Sequence, residues 1–390
     1  MSLLADFADQ DSLDLVAHGS LTPEETKAKI ISILAPHFTN TRIVEKFVVV
    51  LAPEAVNIRA IERDDRSNQL YLKIRNDYEK AESIDPGACY EGCRTWEQKI
   101  QDGIAEYWSA LRLDVDLTSL GINDFKFEAF RIIGLLVEAV MQPALRELLF
   151  QARLGARKRA VEEEIERLDL GLVIDELARD FSYASFLAPA PWNVKINQWR
   201  NMAHHFSTRV QGDRIVGVYG KGRHKHELQV TRQELFAAVI TIHAASRALK
   251  TARTIFIIDR MEKIGFQPNT LEVRNEVKLL HLESAFATQG FELVRFEMTP
   301  SAVDATVRDV TDQPRRTRMI HSSQFVYPIW LEFPSSMIRV TYWDTNGELL
   351  MISSARGPDC EEIADGKIPF SELANRVQFH LTAAGRATPC

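Results

Sequence analysis

Cysteine is scarce in this chain: four among 390 residues, at positions 89, 93, 360 and 390. So few and so scattered, they exclude a disulfide scaffold and fit a reducing compartment. The pair in "CYEGC", Cys89 and Cys93, has no second Cys or His pair close by in sequence, so it reads as two reduced thiols in a turn rather than half a zinc site. Long hydrophobic runs are missing too. "FVVVLA" is far shorter than the roughly 18 residues a membrane helix needs, and "RIIGLLVEAVM" is interrupted by charge. The acidic opening "MSLLADFADQD" has neither the basic nor the apolar region of a secretory signal. These absences predict a cytoplasmic protein with no membrane partner. A Walker phosphate loop, HExxH, a Rossmann glycine fingerprint and a GxSxG elbow are all absent, which removes the defining parts of the common nucleotide, zinc-protease, dehydrogenase and hydrolase sites.

What is present is a globular composition, 45% hydrophobic and 26% charged, in a length that suits two or three domains. The net charge of −7 argues against coating nucleic acid by bulk charge but leaves room for a local basic groove. The expected fold class is α+β and multidomain. Residues 1–115 read as a mixed, mainly α N-terminal region, with "TPEETKAKIISILAPHF" helical, "VNIRAI" and "NQLYLKIR" as short strands, and "TWEQKIQDGIAEYWSAL" helical again. Residues 123–250 read as a helical domain whose long first segment bends near Pro143, where a backbone donor is missing. It carries a β insertion at 208–230, closed by the capping box Thr231–Glu234. Residues 254–390 alternate helices with the strands "FELVRFEM", "QFVYPIWLEF", "MIRVTYWD" and "ELLMISSA", the last two joined by Asn346-Gly347, a strong hairpin signal.

One stretch gathers chemistry. "NQWRNMAHHFS" puts Arg200, Asn201, His204 and His205 near one end of a helix. Positions four apart are neighbours there, so Arg200 lies over His204 and Asn201 over His205. Trp199, Met202 and Phe206 face the bundle. A neutral His can take the proton of an RNA 2′-hydroxyl, a protonated one can supply the leaving oxygen, and Arg can steady the charge on phosphorus. The bland reading of the same spacing is structural: an Arg paired with a carboxylate and a His satisfied at a core edge.

"WRNMAHH" closely resembles the R-N-x-x-x-H signature of the HEPN superfamily, with Arg200, Asn201 and His205 in the defining positions and His204 in a variable one. The resemblance covers about residues 123–250. It implies a metal-independent endoribonuclease without cofactor, leaving 2′,3′-cyclic phosphate and 5′-hydroxyl ends. It also implies a homodimer across the motif helix and service as a toxin or anti-phage effector, with an antitoxin or regulatory partner. Inactive relatives that bind RNA, nucleotide or protein are the alternative. Some relatives carry a modifiable Tyr two places after the motif His; here that place is Ser207. The insertion tip "YGKGRHKHE" offers Lys221, Arg223, His224 and Lys225 as RNA contacts against the plain alternative of a solvated turn, and no metal is expected at His224 and His226. A second basic cluster, Arg315, Arg316, Arg318 and His321, reads as a surface loop.

Overall fold

The structure is a computed structural model that describes residues 23–111, 117, 119–205, 207–220, 222–265, 275–287 and 289–386. The described residues divide into two compact units. Those within 33–44 and 54–272 form the first, and those within 13–32, 45–53 and 273–390 form the second. The expected boundaries differ from this. Helices from the N-terminal region pack directly on those of the 123–250 segment, so the two share one core.

The longer described N-terminal helices are α1 (Pro23–Leu34), α2 (Val48–Glu62), α3 (Asp65–Ile84) and α4 (Pro86–Leu111), with a short helix at Thr41–Lys46 between the first two. "VNIRAI" and "NQLYLKIR" are therefore helical, not strands. On α3 the buried residues Leu70, Tyr71, Ile74, Tyr78 and Ala81 recur at helical spacing, and Asp64 caps its start by accepting from Ser67 N at 3.0 Å. "CYEGC" is likewise part of α4 rather than a turn, with both thiols buried one helical turn apart.

The long apolar segment forms α5 (Ile122–Leu135), a single π-helical turn (Leu136–Met141) and α6 (Gln142–Gly155). Proline explains the irregularity. Pro143 offers no N–H to the carbonyl of Ala139 and crowds it sterically, and a wider turn just before it relieves both problems. That carbonyl presses against α4 at Gly103, where a Cβ would come within 1.8 Å of the oxygen, so only glycine lets the helices approach. The bend expected near Pro143 is thus a change of helical winding.

Next come α7 (Leu170–Asp180), the loop bearing Pro189 and Pro191, and α8 (Ile196–His204) with the motif. The insertion is a three-stranded antiparallel sheet, β1 (Thr208–Gln211), β2 (Arg214–Tyr219) and β3 (His226–Val230). The capping box then forms as expected: Thr231 Oγ1 accepts from Glu234 N, and Glu234 accepts from Thr231 N at 2.7 Å. It opens α9 (Arg232–Asp259), which runs on nine residues beyond Lys250. The core holds a charged cluster: Arg253 donates to Glu147 at 2.7 Å and to Glu97 at 2.6 Å, and Tyr78 donates to Glu147 at 2.9 Å.

The second unit contains α10 (Asn275–Ala287) and a five-stranded sheet in sequential order. Its strands are β4 (Phe291–Met298), β5 (Ala302–Asp309), β6 (Met337–Trp343), β7 (Leu349–Arg356) and β8 (Gln378–Leu381). All pairs are antiparallel except β5 with β6. That parallel pair needs a crossover, and α11 (Arg315–Ser323) and α12 (Val326–Glu332) supply it. "QFVYPIWLEF" is therefore helical and Trp330 lies on α12. Asn346-Gly347 turns between β6 and β7 as expected, with Asp344 accepting from Asn346 N and Glu348 N. The basic cluster is on a helix, not in a loop. Arg318 is buried against Asp309 at 3.0 Å, and Arg315 pairs with Asp344.

Candidate active site

The site is built on α8. Trp199 and Met202 are fully buried, and they fix which face of this helix turns outward. Trp199 packs near the rings of Phe130 and Trp192. The sulfur of Met202 fills the space above Gly217, where a Cβ would stand 2.4 Å away, so β2 lies flat on the helix. Phe206 lies outside the described residues. The anchored face leaves Arg200 and Asn201 partly exposed and His204 and His205 exposed.

Arg200 and His204 converge on one carboxylate that the sequence reading passed over, and Asn201 sits against Arg200. Arg200 Nε donates to Glu138 Oε2, Arg200 Nη1 lies 3.3 Å from Asn201 Oδ1, and His204 Nε2 lies 3.9 Å from the same Glu138 oxygen. Glu138 comes from the π-helical turn. Such turns recur at functional sites because they re-aim side chains that a regular helix would point elsewhere. The signal in the sequence was Glu138 itself, a lone acid inside "RIIGLLVEAVM". His205 stands apart. It is the C-cap residue, its backbone N–H bonds Asn201 O at 3.0 Å, and its side chain joins neither Glu138 nor the groove lining.

A groove of about 830 Å³ opens beside this group, walled by α4, α5, the π-helical turn, α6 and the end of α8. His204 and Glu138 line it, together with Ala203 and Thr208. Four cations line it as well, opposed by two further acids, Asp102 and Glu106, on α4. Lys99 and Arg146 both pair with Glu166, and Arg131 pairs with Glu128. Lys126 has no acidic partner among the described residues. Glu128 is the main cause holding the Arg131 guanidinium above its ordinary range. A lysine without an acidic partner among the described residues, beside a half-open Arg–carboxylate–imidazole group, is suited to an anionic ligand with a reacting centre, such as a phosphodiester.

The tip of the insertion is elsewhere. Gly220 N donates to Gln198 Oε1 at 3.3 Å, which ties the tip to the start of α8, and Tyr219 stacks on His226 at 5.4 Å. Arg223 and His224 belong to a short turn, and the exposed His224 and Lys225 do not line the groove; the side chain of Arg223 lies outside what the structure describes. Lys221 lies outside the described residues. Ser207 is held in the sheet, its hydroxyl donating to Val218 O at 2.9 Å. Among the described residues no three His, Cys, Asp or Glu side chains cluster as metal ligands would. No helix of the described residues is long and apolar enough to cross a membrane.

No protein-family model, curated protein or solved structure matches this chain.

Proposed function

We propose that this protein is a metal-independent endoribonuclease of the HEPN type, active as a homodimer that juxtaposes two copies of α8. The observation that carries the reading is the convergence of Arg200 and His204 on Glu138, with Asn201 on Arg200, at the edge of a groove lined by charged side chains. Arg200 binds the non-bridging phosphate oxygens and steadies the charge that builds on them. A neutral His of the motif takes the 2′-hydroxyl proton, and the resulting oxygen attacks the adjacent phosphorus. The bond to the 5′-oxygen breaks as a protonated His supplies its proton. This leaves a 2′,3′-cyclic phosphate and a 5′-hydroxyl.

His205 holds the defining motif position and serves as the main acid–base group. Exposure at the helix end leaves it accessible to a strand shared by two subunits. His204, already in the groove, assists, and Asn201 positions Arg200. A second copy supplies the further His and Arg that one chain lacks for acid, base and phosphate clamp together. By the same resemblance the protein acts in the cytoplasm as a toxin or anti-phage effector under the control of a neutralising or regulatory partner.

One observation favours a second reading, RNA binding without cleavage. Arg200 already holds a carboxylate, as a structural arginine would. The two readings separate when labelled RNA is incubated in excess EDTA with wild type, Arg200→Ala, His204→Ala and His205→Ala. Cleavage that persists in EDTA, leaves cyclic phosphate ends and is lost in Arg200→Ala and His205→Ala supports the nuclease. Binding with no cleavage by the wild type sinks it, and cleavage abolished by EDTA replaces it with a metal-dependent enzyme.

A further inference from the structure

The groove extends well past the motif. Its lining on the long segment falls at 126–127, 130–131, 134–135, 138–139, 142–143 and 146, pairs of neighbours repeating every four residues. That is one continuous stripe on a helical rod, and from Lys126 to Arg146 it is about 30 Å long at 1.5 Å per residue. Glu138 sits within the stripe, so the candidate centre has groove on both sides of it. The cations are distributed the same way: Lys126 and Arg131 towards one end, Arg146 towards the other with Lys99 across from it on α4. At the Lys126 end Phe127 is 55% exposed, a large aromatic ring left in water on the lip of a charged groove.

The exposed ring, the neighbouring Lys126 with no acidic partner among the described residues, and the length of the track together match single-stranded nucleic acid. Every base has a face that can stack on an aromatic side chain, and the cations follow the phosphates. A duplex hides those faces. We infer that this groove is a binding track for single-stranded RNA, in which Phe127 stacks a base and Lys126 contacts a phosphate several nucleotides from the reacting one. The inference deepens the ribonuclease reading and takes RNA as the ligand from it. The separation sets the scale: Phe127 and Glu138 are about 17 Å apart along the rod, so the Phe127 end grips substrate and takes no part in bond making.

The test is fluorescence anisotropy of the full chain with a labelled single strand of about ten nucleotides and with a duplex of the same sequence. Wild type is expected to bind the single strand more tightly. Phe127→Ala is expected to weaken single-strand binding at least about fivefold while leaving duplex binding unchanged, and Phe127→Trp to restore it. Lys126→Ala is expected to lower the slope of log affinity against log salt by about 0.7. A ring so exposed contributes little to the core, and circular dichroism of both variants checks that they fold. Equal single-strand affinity of Phe127→Ala and wild type overturns the inference, as does equal binding of duplex and single strand. Conversion of a dimer to a monomer by Phe127→Ala also overturns it, by assigning the ring to self-association.

The two readings fail separately. Cleavage that is lost in Arg200→Ala but indifferent to Phe127 leaves the nuclease standing without the track. Phe127-dependent binding with no cleavage leaves the track standing without the nuclease.

Discussion

Two arginines of the first unit illustrate opposite uses of the same side chain. Arg253 is 2% exposed and spends its guanidinium on Glu97, Glu147 and the carbonyl of Cys93. Glu147 is fully enclosed, and burial pushes its carboxyl above the usual range even though Arg253 and Tyr78 pull it down. Arg200 holds one carboxylate and an amide, and its side chain keeps 30% exposure. A buried charge must be matched from every side, because an unmatched one costs several kcal/mol. A charge at a groove keeps capacity for a ligand. Spare hydrogen-bonding capacity next to a cavity, more than charge itself, marks the candidate centre.

The largest expected effect is on the buried partner. Arg253→Met leaves Glu97 and Glu147 without their cation and should lower stability by about 3–5 kcal/mol. The midpoint of urea unfolding measures it, and a loss under about 1 kcal/mol would erase the contrast between the two arginines. Arg200→Ala should do the reverse, with cleavage falling about 10²- to 10³-fold and stability changing by no more than about 1 kcal/mol. Rate and urea midpoint measured on one preparation check both halves.

A third effect depends on pH. Burial, aided by Arg247, pushes His243 down to about 3, so it is neutral in the fold while the unfolded chain takes up a proton near pH 6.5. The folded pKa is the lower one, so this stability is present above pH 6.5 and lost as pH falls towards 3. The loss has a limiting slope of about 1.4 kcal/mol per pH unit. Unfolding at pH 7 and pH 5 should therefore differ less in His243→Phe than in wild type. The smallest expected effect is at the start of α9. Thr231→Ala removes one half of the capping box and should cost about 1 kcal/mol without altering RNA affinity, both readable from melts and anisotropy.

What could be read from the sequence follows the range of the forces involved. The capping box, the Asn346-Gly347 turn, the presence of a β insertion (though not its third strand) and the proximity of Arg200 and His204 are local, set within a few residues. "VNIRAI", "NQLYLKIR" and "QFVYPIWLEF" misled because a short apolar run fits a helix and a strand equally, and only packing decides. β5, "AVDATVRD", went unnoticed because small and acidic residues weaken its alternation, yet the sheet buries it between β4 and β6. Of the candidate site, the motif was legible and its partner was not. Glu138 lies 62 residues from Arg200 in sequence, and a long-range contact of that kind leaves no local pattern.

The π-helical turn before Pro143 has one more consequence, for what this chain can tolerate in length. Glu138 and Glu147 stand on the same rod, one in a wet groove and the other in the dry core. The wider turn takes up one extra residue while the helices on either side keep their phase. Deleting a single residue from Leu136–Met141 would therefore let a regular helix run through, with Glu147 still on Arg253 and only the side chains of the turn re-aimed. The extra residue works like slack let into one link of a chain. Its removal should cost the Glu138 contact with Arg200 and leave the core in place.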